Sequence, residues 1–378
     1  MPVIPNPDLA VGDGQLPGWN RPEARRRSFH ALHKTFRYAR SYRSPKVLAL
    51  KRDLDWRIGR LAHVRELTSS PFFSAMAAIQ GDRLLWEAYA PDYGPDGAHS
   101  MQSITKTTVN LIAGRLVEQG KLDLSRTVAS YLPEIGSGYA KATVQQVLDM
   151  DVINDFTEDY SVLDSASYRQ EAAMGWRLPP EGQQEQDSRA FVAGVTGREL
   201  GNPTGVVQYK SANTDVVAWI AERVAARPLH EFVLEIAEAA GFEGTFYMGT
   251  DRLGVPQLNG AGCLSARDLA RYGQLFARGG EGVNGERVGS AEFIRATRSG
   301  RGTRYEGARA GIRYSNHTAT RERWVGHGGY GGQYLLVDVQ TGVSVAFFSV
   351  LEDRDAWDPD YGAETIRLCE EVASLAWA

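Results

Sequence analysis

YLLVDVQTGVSVAFFSV, residues 334–350, contains two apolar segments separated by the tight turn Gln340-Thr341-Gly342. Short apolar runs rich in valine and aromatic residues on both sides of a glycine turn predict a β-hairpin. A second such pair, SAMAAIQGDRLLWEAY, occupies residues 74–89 around Gln80-Gly81-Asp82. Strand pairs near both ends of the chain, with helices between them, predict an antiparallel sheet built from the two terminal parts.

Helical patterns fill much of the remaining chain. Apolar spacing and capping residues predict helices over 48–67, 103–120, 144–150, 214–226, 265–278 and 362–377. We therefore expect three parts: an extended basic arm over residues 1–50, an α/β sheet domain formed by 51–106 and 259–378, and a mostly helical lobe over 107–258. The arginine-rich arm is expected to be solvated on the surface, because a charge run more often forms an exposed face than a nucleic-acid tail.

The overall charge and hydropathy exclude several classes of protein. The 378 residues carry a net charge of −4, which gives no general attraction for nucleic acid or an anionic membrane. No apolar stretch approaches the roughly 18 residues of a membrane span, and the N-terminus shows no signal-peptide pattern. The two cysteines, Cys263 and Cys369, are expected to be buried free thiols. These features predict a cytoplasmic protein that binds neither nucleic acid nor a membrane; a homodimer contact through the basic arm stays open.

Ser103-Ile104-Thr105-Lys106 is the first candidate for chemistry. Residues three apart lie on one helix face, so the serine oxygen and the lysine nitrogen can point into the same site. Serine needs a base to become a nucleophile, and lysine can be that base when burial lowers its pKa. The start of the following helix also offers backbone N–H groups for an oxyanion. The motif alone is short, and a capping serine followed by a solvated lysine is its bland alternative.

Two further segments support a hydrolytic site. Tyr209 stands at the entry to an apolar helix, and a phenol near a cationic lysine is expected to lose its proton more easily and to serve a leaving group. His327-Gly328-Gly329 precedes Tyr330 at the start of a predicted strand, where glycines allow close approach of a substrate to the backbone. The Tyr330 N–H could then join that of Ser103 in an oxyanion hole. An aromatic packed at a helix start and a plain glycine turn are the structural alternatives.

Cofactor and metal motifs fail on their context. Residues 326–331 fit G-x-G-x-x-G, but a strand follows them where a dinucleotide site requires a helix. His30 and His33 are three residues apart without a nearby third ligand, so no metal site is expected. The sequence therefore predicts an enzyme that needs neither a metal nor an organic cofactor.

Ser-x-x-Lys, the tyrosine segment and the glycine-bounded strand, in this order, resemble the penicillin-recognising serine hydrolases. Within that family the chain is most similar to the 6-aminohexanoate-dimer hydrolases and related esterases. The similarity extends over about residues 70–378 and includes VLDMDVINDFTEDY (147–160), the segment up to 174–177, VQYKSANTDVVAWIAERV (207–224) and SARDLARYG (265–273). It implies the β-lactamase/DD-peptidase-like fold, of the α+β class, in which an antiparallel sheet flanked by helices is joined to a mostly helical lobe.

The resemblance also implies roles for individual residues. Ser103 becomes the acylated nucleophile, Lys106 its general base and Tyr209 the proton relay to the leaving group. The family's Lys-Thr-Gly strand motif falls on His327, Gly328 and Gly329, which supports an oxyanion hole at the N–H groups of Ser103 and Tyr330. The same carry-over assigns substrate contacts to Tyr160, to Asn259 and to Glu171, which aligns with an aspartate that faces a substrate ammonium.

Departures from the family pattern leave the substrate open. Gly328 replaces a hydroxyl that helps to hold a β-lactam carboxylate, and Ser211 replaces an asparagine of the β-lactamases. Glu171 keeps the negative charge on a longer arm, and it could equally be a surface carboxylate. We expect a serine hydrolase of small linear amides or carboxylic esters that acts through an acyl-enzyme. The alternatives are a β-lactamase, a D-amino-acid peptidase or amidase, an acyltransferase with the same residues, and a non-catalytic binding protein.

Overall fold

The computed structural model describes residues 18–160, 162, 165–179, 182–353 and 356–377. The α-helices in these ranges are α1 (Pro22–Phe29), α2 (Ala62–Thr68), α3 (Thr107–Glu118), α4 (Val144–Leu148), α5 (Ala166–Ala173), α6 (Ser188–Ala193), α7 (Ser211–Ala225), α8 (Leu229–Ala240), α9 (Ala266–Ala277), α10 (Ala291–Thr297) and α11 (Pro359–Ser374). Short 3-10 helices include Ile58–Arg60, Gln102–Lys106 and Gly307–Arg309.

The strands in the same ranges form two sheets. They are β1 (Ala39–Tyr42), β2 (Lys51–Arg52), β3 (Phe73–Gln80), β4 (Arg83–Tyr89), β5 (His99–Ser100), β6 (Phe246–Gly249), β7 (Gly262–Leu264), β8 (Thr303–Arg304), β9 (Arg313–Ser315), β10 (Thr318–Arg321), β11 (Trp324–Gly329), β12 (Gln333–Asp338) and β13 (Val343–Ser349). The larger sheet has the order β2-β4-β3-β13-β12-β11-β10-β9-β8, and the smaller one has the order β1-β6-β7-β5.

The larger sheet joins the two ends of the chain. Strand β3 pairs antiparallel with β13, so that Ala77 lies opposite Ala346. Both predicted hairpins are present as β3–β4 and β12–β13. The remaining pairs are also antiparallel, except that the two-residue edge strand β2 runs parallel to β4. The prediction of an antiparallel sheet built from both terminal parts is confirmed.

Helices cover both faces of this sheet. Successive strand residues point to opposite faces, and on β13 Phe347 belongs to the core under α2 and α11, whereas Phe348 belongs to the core under α9. Helix α9 begins at the capping side chain of Ser265, as expected, and lies close to β13. At Gly273 of this helix an added Cβ would approach Ser344 Oγ to 2.0 Å, so only glycine permits this close packing.

The helical region packs around α7. Helices α3, α4, α6 and α8 all contact α7, which is buried along most of its length. Helix α3 continues directly from the 3-10 helix Gln102–Lys106 and carries its apolar residues into this core. The 3-10 helix itself contacts β11 of the larger sheet and β7 of the smaller one, so it lies between the helical region and both sheets. This placement brings Ser103 to the junction of the helical region and the sheets.

Two expectations for the N-terminal part are wrong. The helix predicted over 48–67 begins only at Ala62, because Lys51–Arg52 form β2 and the partly buried Leu50 and Leu54 contact the core from non-helical chain. The segment from residue 18 onward is not a solvated, extended arm. It forms α1, its strand β1 pairs with β6, and Trp19, Arg25 and Phe29 are buried.

Arg25 shows how one arginine of this otherwise largely exposed basic run is buried. Its guanidinium donates hydrogen bonds to Asn20 Oδ1 at 2.9 Å and to the main-chain oxygen of Leu351 at 3.0 Å, which satisfies a buried charge without a solvent contact. Cys263 and Cys369 are buried free thiols, as expected. Residues 1–17 lie outside the described residues, and the division into an arm, a sheet domain and a helical lobe stays a prediction.

No helix in the described part of the chain combines the length and the apolar character that a bilayer-spanning segment requires.

Candidate active site

Ser103 lies on the 3-10 helix that precedes α3, in a half-buried position. The residue before it, Gln102, has a φ of +49°, a left-handed conformation that costs a non-glycine residue about 1–2 kcal/mol. The Gln102 side chain donates a hydrogen bond to Ser100 Oγ at 2.8 Å, and this contact helps to hold the strained turn. Strain of this kind clusters at functional sites, here immediately before the candidate nucleophile.

Lys106 follows Ser103 by three residues, and its side chain is fully buried. Its Nζ atom lies 2.9 Å from Ser103 Oγ, lies 3.0 Å from Ser211 Oγ and contacts the main-chain oxygen of Asn259. An ammonium has three N–H donors, whereas a neutral amine has two and one lone pair. The carbonyl oxygen of Asn259 can only accept, and the Ser211 hydroxyl donates elsewhere. In neutral Lys106 the lone pair is therefore left for the proton of Ser103.

The environment of Lys106 makes that neutral form accessible near physiological pH. Burial lowers the pKa of Lys106 to about 8, although the charges of Glu158 and Asp215 act to raise it. A base with a pKa close to the working pH is both available and strong enough to accept the serine proton. The side-chain geometry and the pKa of Lys106 thus agree with the role that the sequence suggested.

Glu158 is a site residue that the sequence did not reveal. Its carboxylate accepts hydrogen bonds from the backbone N–H of Ser211 at 2.8 Å, from the Ser211 hydroxyl at 2.5 Å and from the hydroxyl of Tyr160. Ser211 therefore links Glu158 to Lys106. Glu158 lies within the quoted segment 147–160, but no spacing rule relates it to Ser103, so only the fold brings the two together.

Tyr209 precedes α7 and faces the same centre. Lys106 Nζ lies 5.1 Å from the centre of its ring, so the lysine contacts the aromatic face. The phenol hydroxyl is buried without a hydrogen-bond partner among the described residues. Burial and the charge of Glu158 raise the pKa of Tyr209 well above its usual value, although nearby Ser103 acts to lower it. This shift of the pKa is opposite to the expectation that the phenol loses its proton easily, because burial outweighs the opposing charge of Arg309.

Strand β11 closes the other side of Ser103. It carries the predicted His327, Gly328 and Gly329, and it packs against the 3-10 helix of Ser103. An added Cβ at Gly329 would lie 2.6 Å from the main-chain oxygen of Met101, so glycine is needed for this approach. Tyr330 follows the strand and borders the same cavities as Ser103. The assignment of the oxyanion hole to the two N–H groups stays a prediction.

His327 is buried and neutral. Its Nδ1 lies 2.6 Å from the main-chain oxygen of Gly328, and its Nε2 lies 3.1 Å from the Tyr314 hydroxyl. Because a carbonyl oxygen only accepts, this network assigns the proton to Nδ1, and the Tyr314 hydroxyl then donates to Nε2. Burial lowers the pKa of His327 well below its usual value, and the charge of Lys106 adds to this effect. The histidine therefore contributes shape and polarity, without a positive charge.

Two cavities meet at Ser103, Tyr160 and Tyr330. The larger, called here the Arg309 cavity, has a volume of about 480 Å³ and is lined by Asn20, Arg25, Glu158, Asp159, Tyr209, Tyr305, Arg309, Ile312, Ala319, His327, Gly328, Tyr334, Trp357 and Ile366 in addition to the shared residues. The smaller, the Glu171 cavity, measures about 30 Å³ and is lined by Trp19, Gln102, Ser167, Gln170, Glu171, Met174, Trp176, Ser211, Asn259 and Gly260 as well.

Glu171 is not a surface carboxylate. It is 4% exposed, and it forms an ion pair with Arg177, whose guanidinium also lies over the Tyr168 ring. Burial raises the pKa of Glu171, and the charge of Arg177 opposes this shift. A substrate ammonium at this position would have to compete with the arginine for the carboxylate.

Asn259 and Tyr160 occupy two further predicted positions. The Asn259 side chain donates to both oxygens of Asp215, at 2.9 and 3.0 Å, while its main-chain oxygen accepts from Lys106. Burial raises the pKa of Asp215 to about 7. Tyr160 is exposed beside Ser103, and its ring centre lies 5.2 Å from that of Tyr330. The structure therefore brings all predicted site residues to one place, with Asn259 oriented mainly toward the protein.

The wall of the larger cavity contains residues that the sequence did not reveal. Arg309 comes from the 3-10 helix Gly307–Arg309 and Tyr305 from the loop before it. Trp357 comes from the segment before α11, and Asn20 comes from the N-terminal segment. Asn20 donates a hydrogen bond to the Tyr330 hydroxyl at 3.1 Å. None of these residues belongs to a recognisable motif, because their proximity depends on tertiary packing. Across the described residues, no group of three or more histidine, cysteine or acidic side chains is placed to hold a metal ion.

Comparison with known proteins identifies a family and a related hydrolase. Residues 74–361 match the Beta-lactamase family. The chain is 30% identical to a 6-aminohexanoate-dimer hydrolase of Paenarthrobacter ureafaciens over 370 residues, which are 94% of this chain and 91% of that protein.

Solved structures share the fold. A Bacillus anthracis protein provisionally assigned as a 6-aminohexanoate-dimer hydrolase superposes with a TM-score of 0.79 at 21% identity, over 94% of this chain and 95% of that one. A family VIII carboxylesterase superposes with a TM-score of 0.60 at 15% identity, over 88% and 99% of the two chains. Together with the family match over most of its length, these similarities show that the chain belongs to the β-lactamase family of serine hydrolases.

Proposed function

We propose that this protein hydrolyses small linear amides or carboxylic esters through an acyl-enzyme on Ser103. The observation that carries the proposal is the buried Lys106 amine 2.9 Å from Ser103 Oγ, with a pKa lowered to about 8. The names of relatives are consistent with it, since they include a 6-aminohexanoate-dimer hydrolase, a carboxylesterase and a D-stereospecific amidohydrolase from Streptomyces.

The first half-reaction forms the acyl-enzyme. Neutral Lys106 accepts the proton of Ser103, and Oγ bonds to the substrate carbonyl carbon. The oxyanion is held by the N–H groups of Ser103 and Tyr330. The raised pKa of Tyr209 keeps its phenol protonated, so it can donate that proton to the leaving amine or alcohol as the scissile bond breaks. The ammonium of Lys106 then returns a proton to Tyr209.

The second half-reaction releases the acid. Water attacks the acyl carbon and loses its proton to Lys106, and Ser103 Oγ leaves with a proton, which restores the starting state. Tyr160, His327 and Gly328 line the larger cavity, and Glu171 and Asn259 border the smaller one. Transfer of the acyl group to an amine in place of water would make the same site an acyltransferase.

Fluorophosphonate labelling with intact-mass detection tests the nucleophile. The wild type is expected to gain one label on Ser103 and to hydrolyse p-nitrophenyl butyrate or a linear aminohexanoate amide, whereas Ser103→Ala does neither. An intact protein that never labels, and whose Ser103→Ala variant behaves identically in every assay, would contradict the proposal. Nitrocefin should be a poor substrate, since Gly328 offers no hydroxyl for a β-lactam carboxylate. Nitrocefin turnover comparable to that of short esters would favour the β-lactamase alternative.

Cytoplasmic location and homodimerisation belong to this proposal as predictions from the sequence alone.

A further inference from the structure

The position of Tyr209 indicates which half of a substrate each cavity receives. Tyr209 lines the Arg309 cavity and is not among the described residues that border the Glu171 cavity. In the proposed function its phenol protonates the leaving group, so the leaving group lies in the Arg309 cavity. The leaving group and the acyl chain extend from the carbonyl carbon in different directions. The acyl chain is therefore directed into the Glu171 cavity.

The two cavities differ greatly in the size of group that they can hold. The Arg309 cavity, with about 480 Å³, is within the range of small-molecule sites. The Glu171 cavity, with about 30 Å³, holds roughly one or two groups of the size of a water molecule. A methyl group is of similar size, so this cavity has room for an acetyl chain and little more.

The far wall of the Glu171 cavity consists of buried protein. Trp19, Met174 and Trp176 line it, and all three are buried, as are the neighbouring Gln170 and Asn259. Because the described side chains of this wall do not border solvent, a longer acyl chain has no route between them to the surface. The cavity ends inside the protein.

Aromatic rings hold Trp19 in this wall. Its ring stacks on that of Phe29, with the centres 6.0 Å apart, and meets the ring of Trp176 edge-on at 5.1 Å. Phe36 stacks in turn on Trp176 at 5.7 Å. Close-packed rings have little freedom to move aside. Trp19 lies outside residues 74–361, which match the Beta-lactamase family, so a segment outside the matched region supplies this part of the wall.

The charged part of the wall is equally hard to displace. Glu171 is paired with Arg177, and both side chains are largely buried. The guanidinium of Arg177 is held further by the ring of Tyr168, whose centre lies 4.2 Å from the guanidinium carbon. Separating a buried ion pair leaves an uncompensated charge, which is strongly unfavourable. The pair therefore keeps the cavity at its present size.

We propose that Trp19 limits the acyl half of the substrate to chains of about two or three carbons, so that the favoured substrates are acetyl or propanoyl esters and amides of larger alcohols or amines. A longer acyl chain has to displace the indole or the ion pair. Each surplus methylene in a filled pocket of this kind lowers kcat/KM by about 10-fold, so p-nitrophenyl butyrate stays a measurable but slower substrate. This inference rests on the proposed function, because it assumes an acyl-enzyme on Ser103.

Two isomeric esters separate the size of the acyl chain from the size of the whole molecule. Hexyl acetate carries its long chain on the leaving alcohol, whereas ethyl hexanoate carries it on the acyl side; pH-stat titration measures the hydrolysis of both. The acetate, butyrate and hexanoate of p-nitrophenol form a second series with a constant leaving group. The variants are Trp19→Leu and Met174→Ala, which enlarge the cavity from two sides, with Trp56→Leu as the control at an exposed tryptophan.

The wild type is expected to prefer hexyl acetate to ethyl hexanoate by about 100-fold or more in kcat/KM. Trp19→Leu and Met174→Ala should raise kcat/KM for p-nitrophenyl hexanoate by about 10-fold or more with little change for the acetate, and Trp56→Leu should match the wild type. Ratios between substrates of one protein do not depend on how much of it is folded. If Trp19→Leu does not fold, Met174→Ala and the isomer ratio of the wild type decide the question.

Two results overturn this inference alone. One is a wild type that hydrolyses the p-nitrophenyl esters and accepts ethyl hexanoate as readily as hexyl acetate. The other is a folded Trp19→Leu variant that keeps the chain-length profile of the wild type. Absence of any turnover and of Ser103 labelling overturns the proposed function, and this inference with it.

Discussion

The two cavities beside Ser103 differ in whether the charged side chain after which each is named has an ion-pair partner. In the Glu171 cavity the carboxylate is already paired with Arg177, and the free volume is about 30 Å³. In the Arg309 cavity the cation has no carboxylate partner among the described residues, and the volume is about 480 Å³. A buried charge that the protein has already paired is costly to leave alone, whereas a guanidinium with unused donors is available to a ligand.

The largest effect is expected at the point where the cavities meet. Lys106→Met removes the base that both half-reactions require. We expect kcat to fall by about 10²- to 10⁴-fold while the protein stays folded. Steady-state kinetics with p-nitrophenyl butyrate measure this loss, with Lys121→Met as the control at an exposed lysine. Retention of more than a tenth of the wild-type kcat would show that Ser103 has another base.

Breaking the ion pair between Glu171 and Arg177 should lower the stability of the protein. Glu171→Gln leaves the nearly buried Arg177 without its counter-charge, and we expect the free energy of unfolding to fall by about 3 kcal/mol. Urea unfolding measures the change, and Glu306→Gln, which removes a half-exposed pair with Arg304, should cost less than about 1 kcal/mol. Unchanged stability together with a selective loss of amine-bearing substrates would instead make Glu171 an ammonium site.

The close contact between β11 and the 3-10 helix of Ser103 is the basis of the next prediction. In Gly329→Ala the new methyl group would lie 2.6 Å from the Met101 oxygen, so strand and 3-10 helix must separate. Overpacking of this kind costs about 1–3 kcal/mol, and a lower kcat should accompany it because the Tyr330 N–H moves relative to Ser103. Gly94→Ala, where an added Cβ meets nothing within 4 Å, is the control. A normal kcat in a destabilised Gly329→Ala variant would show that the position of β11 does not affect catalysis.

The smallest effect concerns the pH profile. Lys106 must be neutral to act, so kcat/KM should rise with pH through its pKa of about 8 and level off above it. The charge of Glu158 raises that pKa; Glu158→Gln should lower it, and the rising limb should move to lower pH. Glu199→Gln, at an exposed carboxylate, is the control. A limb that stays in place or moves to higher pH would exclude this electrostatic link.

Local sequence patterns predict the parts of the fold that depend on interactions between residues close in the sequence. The turn at Gln340-Thr341-Gly342 and the capping Ser265 specify their elements through adjacent residues, and both are present in the structure. Strand β1 could not be predicted, because its partner β6 is some 200 residues away and four residues of mixed polarity carry no periodic signal. Leu50 and Leu54 fitted a helical spacing as well as the non-helical chain that the structure shows.

The candidate site divides in the same way. Ser103 and Lys106 are related by helix geometry, so their contact could be expected from spacing. Glu158 and Arg309 could not be found, since each reaches the site only through tertiary packing. The pKa of Tyr209 differs in direction from the sequence-based expectation for a related reason: a neighbouring lysine is visible in the sequence, but the burial of the phenol and its proximity to Glu158 follow only from the fold.

The pH dependence of fluorophosphonate labelling at Ser103 tests the central claim, that a buried neutral lysine activates this serine. The labelling rate of the wild type should rise about tenfold per pH unit below a pKa near 8 and then level off, and Lys106→Met should label far more slowly at every pH. A labelling rate that does not change between about pH 6 and 9.5, or a Lys106→Met variant that labels as fast as the wild type, would contradict the account.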